Sequence, residues 1–316
     1  MFTLADNREI GKELRATVVD ALKDAMAADE KIVALDADLG GASKWTDLAK
    51  DAPDRFINVG IAEANMVGVA AGLSLTGYTP FIHTFGPFAT RRVLDQIYLS
   101  GAYGDNTINI YGSDPGFAAG HNGGTHTTWE DIALLRSIPE VVICDAADEV
   151  QMDWIIKEFA KLKGVHYVRG TRKGVKNIYA SDSTFELGKG NLLRTGQEYM
   201  IVATGQLVSE ALEVAERLEA RGVSVDVIDM FTIKPLDKEL LLERLIGKKS
   251  VITIENHSIT GGLGSAVAEV LADNGLAVPL TRIGVDERFG QVGTPDFLQE
   301  EFGLTTKQIL EQIKSL

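Results

Sequence analysis

Short runs of β-branched and apolar residues alternate with amphipathic helical stretches from one end of the chain to the other. That alternation constrains the fold more than any other feature. Residues 8–28 carry Ile10, Leu14, Val18, Leu22 and Met26 at near-helical spacing and lead into a strand pattern, KIVALDAD, at 31–38. The alternation continues as helix 44–50 and strand 55–60, helix 61–76 and strand 79–84, then helix 87–100 and strand 107–112. A glycine-rich loop at 112–125 follows, then helix 128–137, strand 140–144, helix 147–163 and strand 165–169. Alternation of this kind predicts βαβ units and a doubly wound, mostly parallel sheet. In such sheets ligands sit beyond the carboxyl ends of the strands. The loops at 38–43, 58–63, 84–88 and 112–126 are therefore the places to search.

The pattern breaks at 170–198, where glycine and charge are scattered, and a second alternating set begins. It reads as strand 199–203, helix 206–221, strand 223–228, helix 237–246, strand 249–254, helix 263–273, strand 279–284 and helices after Thr294. The expected architecture is two tandem α/β domains, residues 1–175 and 191–316, joined by a linker at 176–190. A chain of 316 residues is long enough to give each domain its own core.

The formal net charge of −14 argues against a nucleic-acid surface, which needs dense Lys and Arg. An anionic ligand would have to meet a local basic cluster. No apolar run approaches a membrane span or a signal peptide, and the single cysteine, Cys144, excludes an internal disulfide. The chain is expected to be soluble and cytoplasmic, with Cys144 buried in its strand.

Four segments could carry chemistry. GGLG at 261–264 opens a helix after a strand, yet lacks both a GxGxxG pattern and a Walker lysine, so it reads as tight strand–helix packing. FINVGIAEANMVGVAAGLSLTG at 56–77 is a small-residue helix suited to close packing or a subunit contact, with Glu63 in its first turn among apolar neighbours. Glu63 is either a helix-dipole glutamate or a carboxyl whose pKa burial raises. In HTFGPFATRRVLDQI at 83–97, Phe85 and Phe88 sit at a strand-to-helix corner, as core residues or as walls of a site. Arg91 and Arg92 read as surface or dimer-contact groups. The loop from Tyr111 to the helix at 128 has five glycines and two histidines, His121 and His126, with no third ligand in a convincing metal arrangement. An ordered loop so rich in glycine is costly in entropy and tends to be functional. Asp114, Asn122 and His126 could meet a polar substrate or be solvated. Thr127 or Thr128, ahead of Glu130 and Asp131, reads as an N-terminal cap.

Taken in order, VGIAEANMVGVAAG, TFGPFATRRVLDQI, the GxxGGTH loop running into EDIALLR, IENHSITGGLGSAVAEVL (254–271) and RIGVDERFGQVGTPDFL (282–298) resemble the transketolase family. They are most similar to the C-terminal chain of transketolases divided into two polypeptides. The resemblance spans essentially the whole chain and implies a pyrimidine-binding domain followed by a transketolase C-terminal domain. It further implies thiamine diphosphate and Mg²⁺ as cofactors and transfer of a two-carbon ketol unit from a ketose phosphate to an aldose.

By this resemblance Glu63 matches the glutamate that hydrogen-bonds N1′ of the cofactor's aminopyrimidine. Phe85 matches the aromatic that stacks on that ring, Phe88 a neighbouring ring, and Asp38 a cofactor-pocket position. His126 matches a substrate-contacting histidine, and Arg15 and Arg172 match positions that hold the sugar phosphate. Arginine suits phosphate because its planar fork makes paired hydrogen bonds.

Two positions depart from the family pattern: Asn122 stands where an acidic residue is common, and Asp114 where a histidine is frequent. An anion at 114 would repel a phosphate, which points to an acyclic, branched or otherwise modified sugar. The GDG…N segment that holds diphosphate and metal in the family does not occur in the sequence; GDN at 104–106 is a poor substitute. A separate N-terminal subunit carrying that domain, in an α2β2 assembly, is therefore expected, with no metal ligands in this chain. The same domain pair also serves the β subunit of 2-oxoacid dehydrogenases and deoxyxylulose-phosphate-synthase-like enzymes. A non-catalytic scaffold subunit is the remaining alternative.

Overall fold

The computed structural model describes residues 1–314. Twelve strands follow in chain order: β1 (Ile32–Asp36), β2 (Phe56–Asn58), β3 (Thr79–Phe85), β4 (Ile108–Ser113), β5 (Val142–Asp145), β6 (Val165–Gly170), β7 (Asn191–Arg194), β8 (Tyr199–Ala203), β9 (Val225–Asp229), β10 (Thr232–Lys234), β11 (Ser250–Ser258) and β12 (Leu280–Val285). They build a seven-stranded sheet, ordered β10-β5-β6-β4-β3-β1-β2, and a five-stranded sheet, ordered β12-β11-β8-β9-β7. All neighbours are parallel except at one edge of each sheet, where β10 runs antiparallel to β5 and β7 antiparallel to β9. Helices cover both faces, so central strands such as β1 and β8 are buried at every residue and read as continuous apolar runs. Among the described residues no helix is long and apolar enough to cross a membrane.

The fold has two mostly parallel α/β domains, and they are joined more deeply than the sequence pattern suggests. One apolar cluster runs from Leu14, Trp45 and Phe81 in the first domain through Tyr179 and Phe185 to Ile201, Phe231 and Leu304 in the second. The expected linker is thus packed. Asp148 caps the helix Glu149–Phe159 and also accepts the N–H groups of Ile178 and Tyr179, at 2.8 Å each. Asp229 accepts the Tyr179 hydroxyl at 2.5 Å and Gln151 Nε2 at 2.8 Å, tying linker and both domains to one carboxyl. β10, which alternation alone did not reveal, leaves the second domain to extend the first sheet, with Thr232 opposite Cys144 and Lys234 opposite Ile143.

Two helical expectations need correction. The first helix starts at Leu14, not at residue 8, because the preceding segment pairs with the linker through Leu4–Tyr179 and Ile10–Lys176 bridges. Gly11 donates to the Val175 carbonyl at 2.8 Å, and a Cβ there would collide with the Asn177 side chain. The expected helix 87–100 is broken into a turn at Gly86–Ala89, a 3₁₀ turn at Arg91–Val93, a short α segment and a π turn at Ile97–Tyr103. Thr90, with φ −132° and ψ −81°, is the hinge between the first two.

In the second domain, Glu255 on β11 accepts the first N–H groups of the helix Leu263–Asp273, from Leu263 at 2.7 Å and Gly264 at 2.8 Å. Only glycine leaves room at 262, where a Cβ would strike the Glu255 carboxylate, so the GGLG turn is a packing device. Burial pushes the Glu255 carboxyl up from its usual 4.5 to about 7, against the pull of those N–H groups. A carboxyl raised on folding binds a proton that the unfolded chain has already released, so stability falls as pH rises through that window. Glu255→Gln is expected to flatten the decline in the urea midpoint between about pH 4.5 and pH 7. Part of the slope should remain, because burial also raises Asp229 to about 7 and Asp145 to about 6.

Candidate active site at the carboxyl edge of the first sheet

β1, β3, β4 and β6 are neighbours or near neighbours and end at Asp36, Phe85, Ser113 and Gly170. Their parallel register delivers Asp38, Phe85, Asp114 and Arg172 to one edge. Glu63 reaches the same edge as the first residue of the helix Glu63–Leu75, and it is 5% exposed. Its position favours a negative charge, since the first-turn N–H groups have no helical partner.

The broken helix after β3 arranges the neighbours of Glu63. Gly86 lies against Thr128, where a Cβ would come within 2.6 Å of a methyl carbon, and the Thr90 hydroxyl donates to the Gly86 carbonyl at 2.8 Å. The hinge at Thr90 turns Arg92 back so that its guanidinium pairs with Glu63 and lies 3.7 Å from the centre of the Phe88 ring. Arg91 and Arg92 are both exposed, as expected of surface groups, and each also holds a carboxylate, Arg91 pairing with Glu130 at 2.5 Å and Arg92 with Glu63.

Phe85, Phe88 and His126 form an edge-to-face trio, with centroid separations of 6.2 Å for Phe85–Phe88, 5.6 Å for Phe85–His126 and 5.1 Å for Phe88–His126. His126 Nδ1 lies 2.9 Å from the Thr125 hydroxyl, so Nε2 is the nitrogen left for a ligand. Thr128 accepts the Asp131 N–H at 3.1 Å, but the N-cap of the helix Asp131–Arg136 is Glu130 and not Thr127 or Thr128 as expected, because the helix begins later than the sequence pattern suggests.

On the other side of Phe85 stands Arg172, its guanidinium 4.9 Å from the ring centre. Asp114 accepts the Arg172 backbone N–H at 2.8 Å and pairs with its Nε. Asp114 has a left-handed backbone (φ 56°) and is 2% exposed. Burial raises its pKa while the Arg172 guanidinium opposes the shift. Arg15 is held by Glu13 through Nε at 3.0 Å and Nη2 at 2.9 Å, and by the Ala42 carbonyl through Nη1 at 2.8 Å. Arg15, then Lys44, drag the Glu13 carboxyl down to about 2.

Beneath the edge, His83 lies between Trp45 and Tyr111, 5.2 Å from each ring centre. Burial, and then Arg172, lower its pKa to about 3, so the imidazole is neutral at physiological pH. Asp38 is exposed and accepts Asn58 Nδ2 at 3.2 Å.

Direct contacts thus unite Glu63, Phe85, Phe88, His126, Arg172 and Asp114 into one chain, through Arg92. Arg15 joins it only electrostatically, through Asp114. Asn122 is exposed and makes no side-chain hydrogen bond among the described residues. The sequence reading missed Arg92, Glu13 and His83 as parts of the site. His83 could have been found from strand alternation, because it is two residues before Phe85 and shares its face.

A buried carboxylate linked through one guanidinium to a pair of aromatic rings suits a flat heterocycle that is apolar on its faces and basic at its edge, as an aminopyrimidine is. Glu63 can hydrogen-bond a ring nitrogen, and Phe85 and Phe88 can cover the ring. No group of three or more His, Cys, Asp or Glu side chains that could hold a metal ion occurs among the described residues.

A transketolase pyrimidine binding domain matches residues 11–176, and a transketolase C-terminal domain matches residues 188–309. The chain therefore belongs to the transketolase family. It is 45% identical over 297 residues to the 6-deoxy-6-sulfo-D-fructose transketolase subunit SqwH of Clostridium sp. (strain MSTE9), covering 94% of this chain and 92% of that protein. A putative transketolase C-terminal section from Methanocaldococcus jannaschii is 41% identical over 90% of this chain and 91% of its own length. Among solved structures, a split-gene transketolase described as an inactive beta4 tetramer superposes with a TM-score of 0.89 at 40% identity, covering 96% of this chain and 98% of that one. Mouse transketolase is 34% identical over 92% of this chain, which spans 46% of its length.

Arg92→Leu should leave the buried Glu63 carboxylate without its cation. A loss of about 1–2 kcal/mol in urea unfolding of the isolated chain is expected, at the low end because Arg92 itself is half exposed. Adding Glu63→Gln should recover part of that loss, since a neutral amide needs no counter-charge.

Proposed function

We propose that this chain is the subunit of a thiamine diphosphate-dependent transketolase that activates the cofactor, moving a two-carbon ketol unit from a ketose with an acidic far end to an aldose. The observation that carries the reading is the buried Glu63 carboxylate at a helix start, linked through Arg92 to the Phe85–Phe88–His126 trio. Thiamine diphosphate, when bound, supplies a thiazolium ring that takes up the electron pair of the broken carbon–carbon bond. Glu63 would hold and exchange the proton at N1′ of the aminopyrimidine, a role that needs a carboxyl screened from water. Phe85 and Phe88 would cover the ring and exclude solvent. His126, through Nε2, would hydrogen-bond oxygens at the reacting end of the sugar. Arg172 would meet the sugar's far end, with Arg15 nearby and Asp38 at the rim of the cofactor pocket.

The chain works, in this reading, with an N-terminal subunit that holds the diphosphate and Mg²⁺, as two copies of each. Relatives of the same length are themselves named as a subunit or a C-terminal section. The helix Glu63–Leu75 also presents Gly68 and Gly72 outward, where a Cβ would meet nothing within 4 Å. Such a face lets a second helix approach closely. The single cysteine, Cys144, is free and buried, which suits a reducing cytoplasm.

Two outcomes are expected. Glu63→Gln in the reconstituted complex should leave the assembly intact and lower turnover at least about 100-fold, with loss of cofactor C2–H exchange by NMR. Unchanged turnover would mark the chain as a scaffold. Native mass spectrometry after co-expression with the N-terminal chain should show both polypeptides in one particle; full activity from this chain alone would rule the partner out. Pyruvate decarboxylation in place of ketol transfer would move the assignment to the 2-oxoacid or deoxyxylulose-phosphate class.

A further inference from the structure

The two arginines at the far end of the site are not equivalent. Arg15 has all three guanidinium nitrogens engaged, two on Glu13 and one on the Ala42 carbonyl. Arg172 gives only Nε to Asp114, and among the described residues its two terminal nitrogens have no hydrogen-bond partner. That leaves a planar pair of donors, partly exposed and resting over Phe85. Such a fork binds an oxyanion through paired hydrogen bonds and gains far less from a neutral hydroxyl.

Charge then limits which oxyanion. Arg172 is paired with Asp114, while Arg15 and Lys44 share Glu13, so three cations against two carboxylates leave a single positive charge. Asp114 cannot easily withdraw. Its side chain is buried, one oxygen is fixed by the Arg172 backbone N–H, and its left-handed backbone sets the direction of Cβ. His83 beneath it is neutral and contributes no balancing charge.

We propose that Asp114 sets the charge accepted at the far end of the sugar, so that the site selects a singly charged acidic terminus over a doubly charged one. This rests on the proposed function, which puts that terminus at Arg172. A phosphate monoester carries about −1.5 to −2 near neutral pH. Its second charge would face the Asp114 carboxylate where little water screens the repulsion. A sulfonate carries one charge on the same tetrahedral frame and matches the single surplus.

The test uses the reconstituted complex with D-fructose 6-phosphate, its 6-deoxy-6-sulfonate counterpart and D-fructose as donors. Each is measured both by ketol transfer and by calorimetric binding without acceptor. The wild-type complex should bind the sulfonate at least about tenfold more tightly than the phosphate, and unsubstituted fructose most weakly. Asp114→Asn removes the charge, keeps an oxygen for the Arg172 N–H, and tolerates the left-handed backbone. It should shift the sulfonate-to-phosphate ratio toward phosphate by about tenfold, mainly in KM and Kd, with the thermal midpoint confirming a folded variant. Wild-type binding of phosphate as tight as sulfonate overturns the proposal, as does an unchanged ratio in the folded variant. If the variant does not assemble, the wild-type ratio decides alone. Selective binding of the sulfonate without transfer from any donor would sustain charge selection and sink the ketol-transfer reading.

Discussion

A guanidinium with no access to water holds the two domains in register. Arg169, on β6, is fully buried and reaches Asp131 at 3.2 Å and, across the domain boundary, the Asn256 carbonyl at 2.8 Å. Taking an ion out of water costs several kcal/mol, so such a group persists only where its partners are fixed in place. Here they also fix the site. The Asn256 side chain accepts the Phe117 N–H at 3.2 Å and donates to the Pro115 carbonyl at 3.1 Å, clamping the loop that carries Asp114 and His126. The second domain contributes none of the aromatic trio, yet it determines where the histidine of that trio stands.

The site itself is built from charges that already have partners. Glu63 is matched by Arg92, Arg172 by Asp114, and Arg15 by Glu13. Each pair gives a charged group at this edge a counter-charge without a ligand. Each also means that a ligand must compete with, or fit around, an interaction that exists before it arrives. A ligand that used the Glu63 carboxylate would have to displace Arg92, whereas the terminal nitrogens of Arg172 have no hydrogen-bond partner among the described residues.

The alternation of strand and helix was legible in the sequence because buried parallel strands are continuously apolar and the helices between them are not. β8 and the helix Leu263–Asp273 appear at the residues expected, 199–203 and 263–273. Glu63, Phe85 and Phe88 stand out as candidates only through family motifs, since a first-turn glutamate and a phenylalanine pair also occur in ordinary cores. What sequence periodicity could not supply were features made by contacts distant along the chain. β10 has three residues, too few for a period, and is a strand only because the β5 edge is there to pair with. The break at Thr90 follows from Gly86 packing against Thr128, and with it comes the Arg92–Glu63 pair. The docked linker depends on Asp148 and Asp229, neither of which is near it in sequence.

β10 has a genetic consequence. A strand from the second domain completes the edge of the first domain's sheet, and an unpaired edge is a template for aggregation. A gene break between these two domains would leave β5 uncovered in one product and an orphaned strand in the other. In this chain the two domains therefore share an edge as well as a core, and the second closes the first.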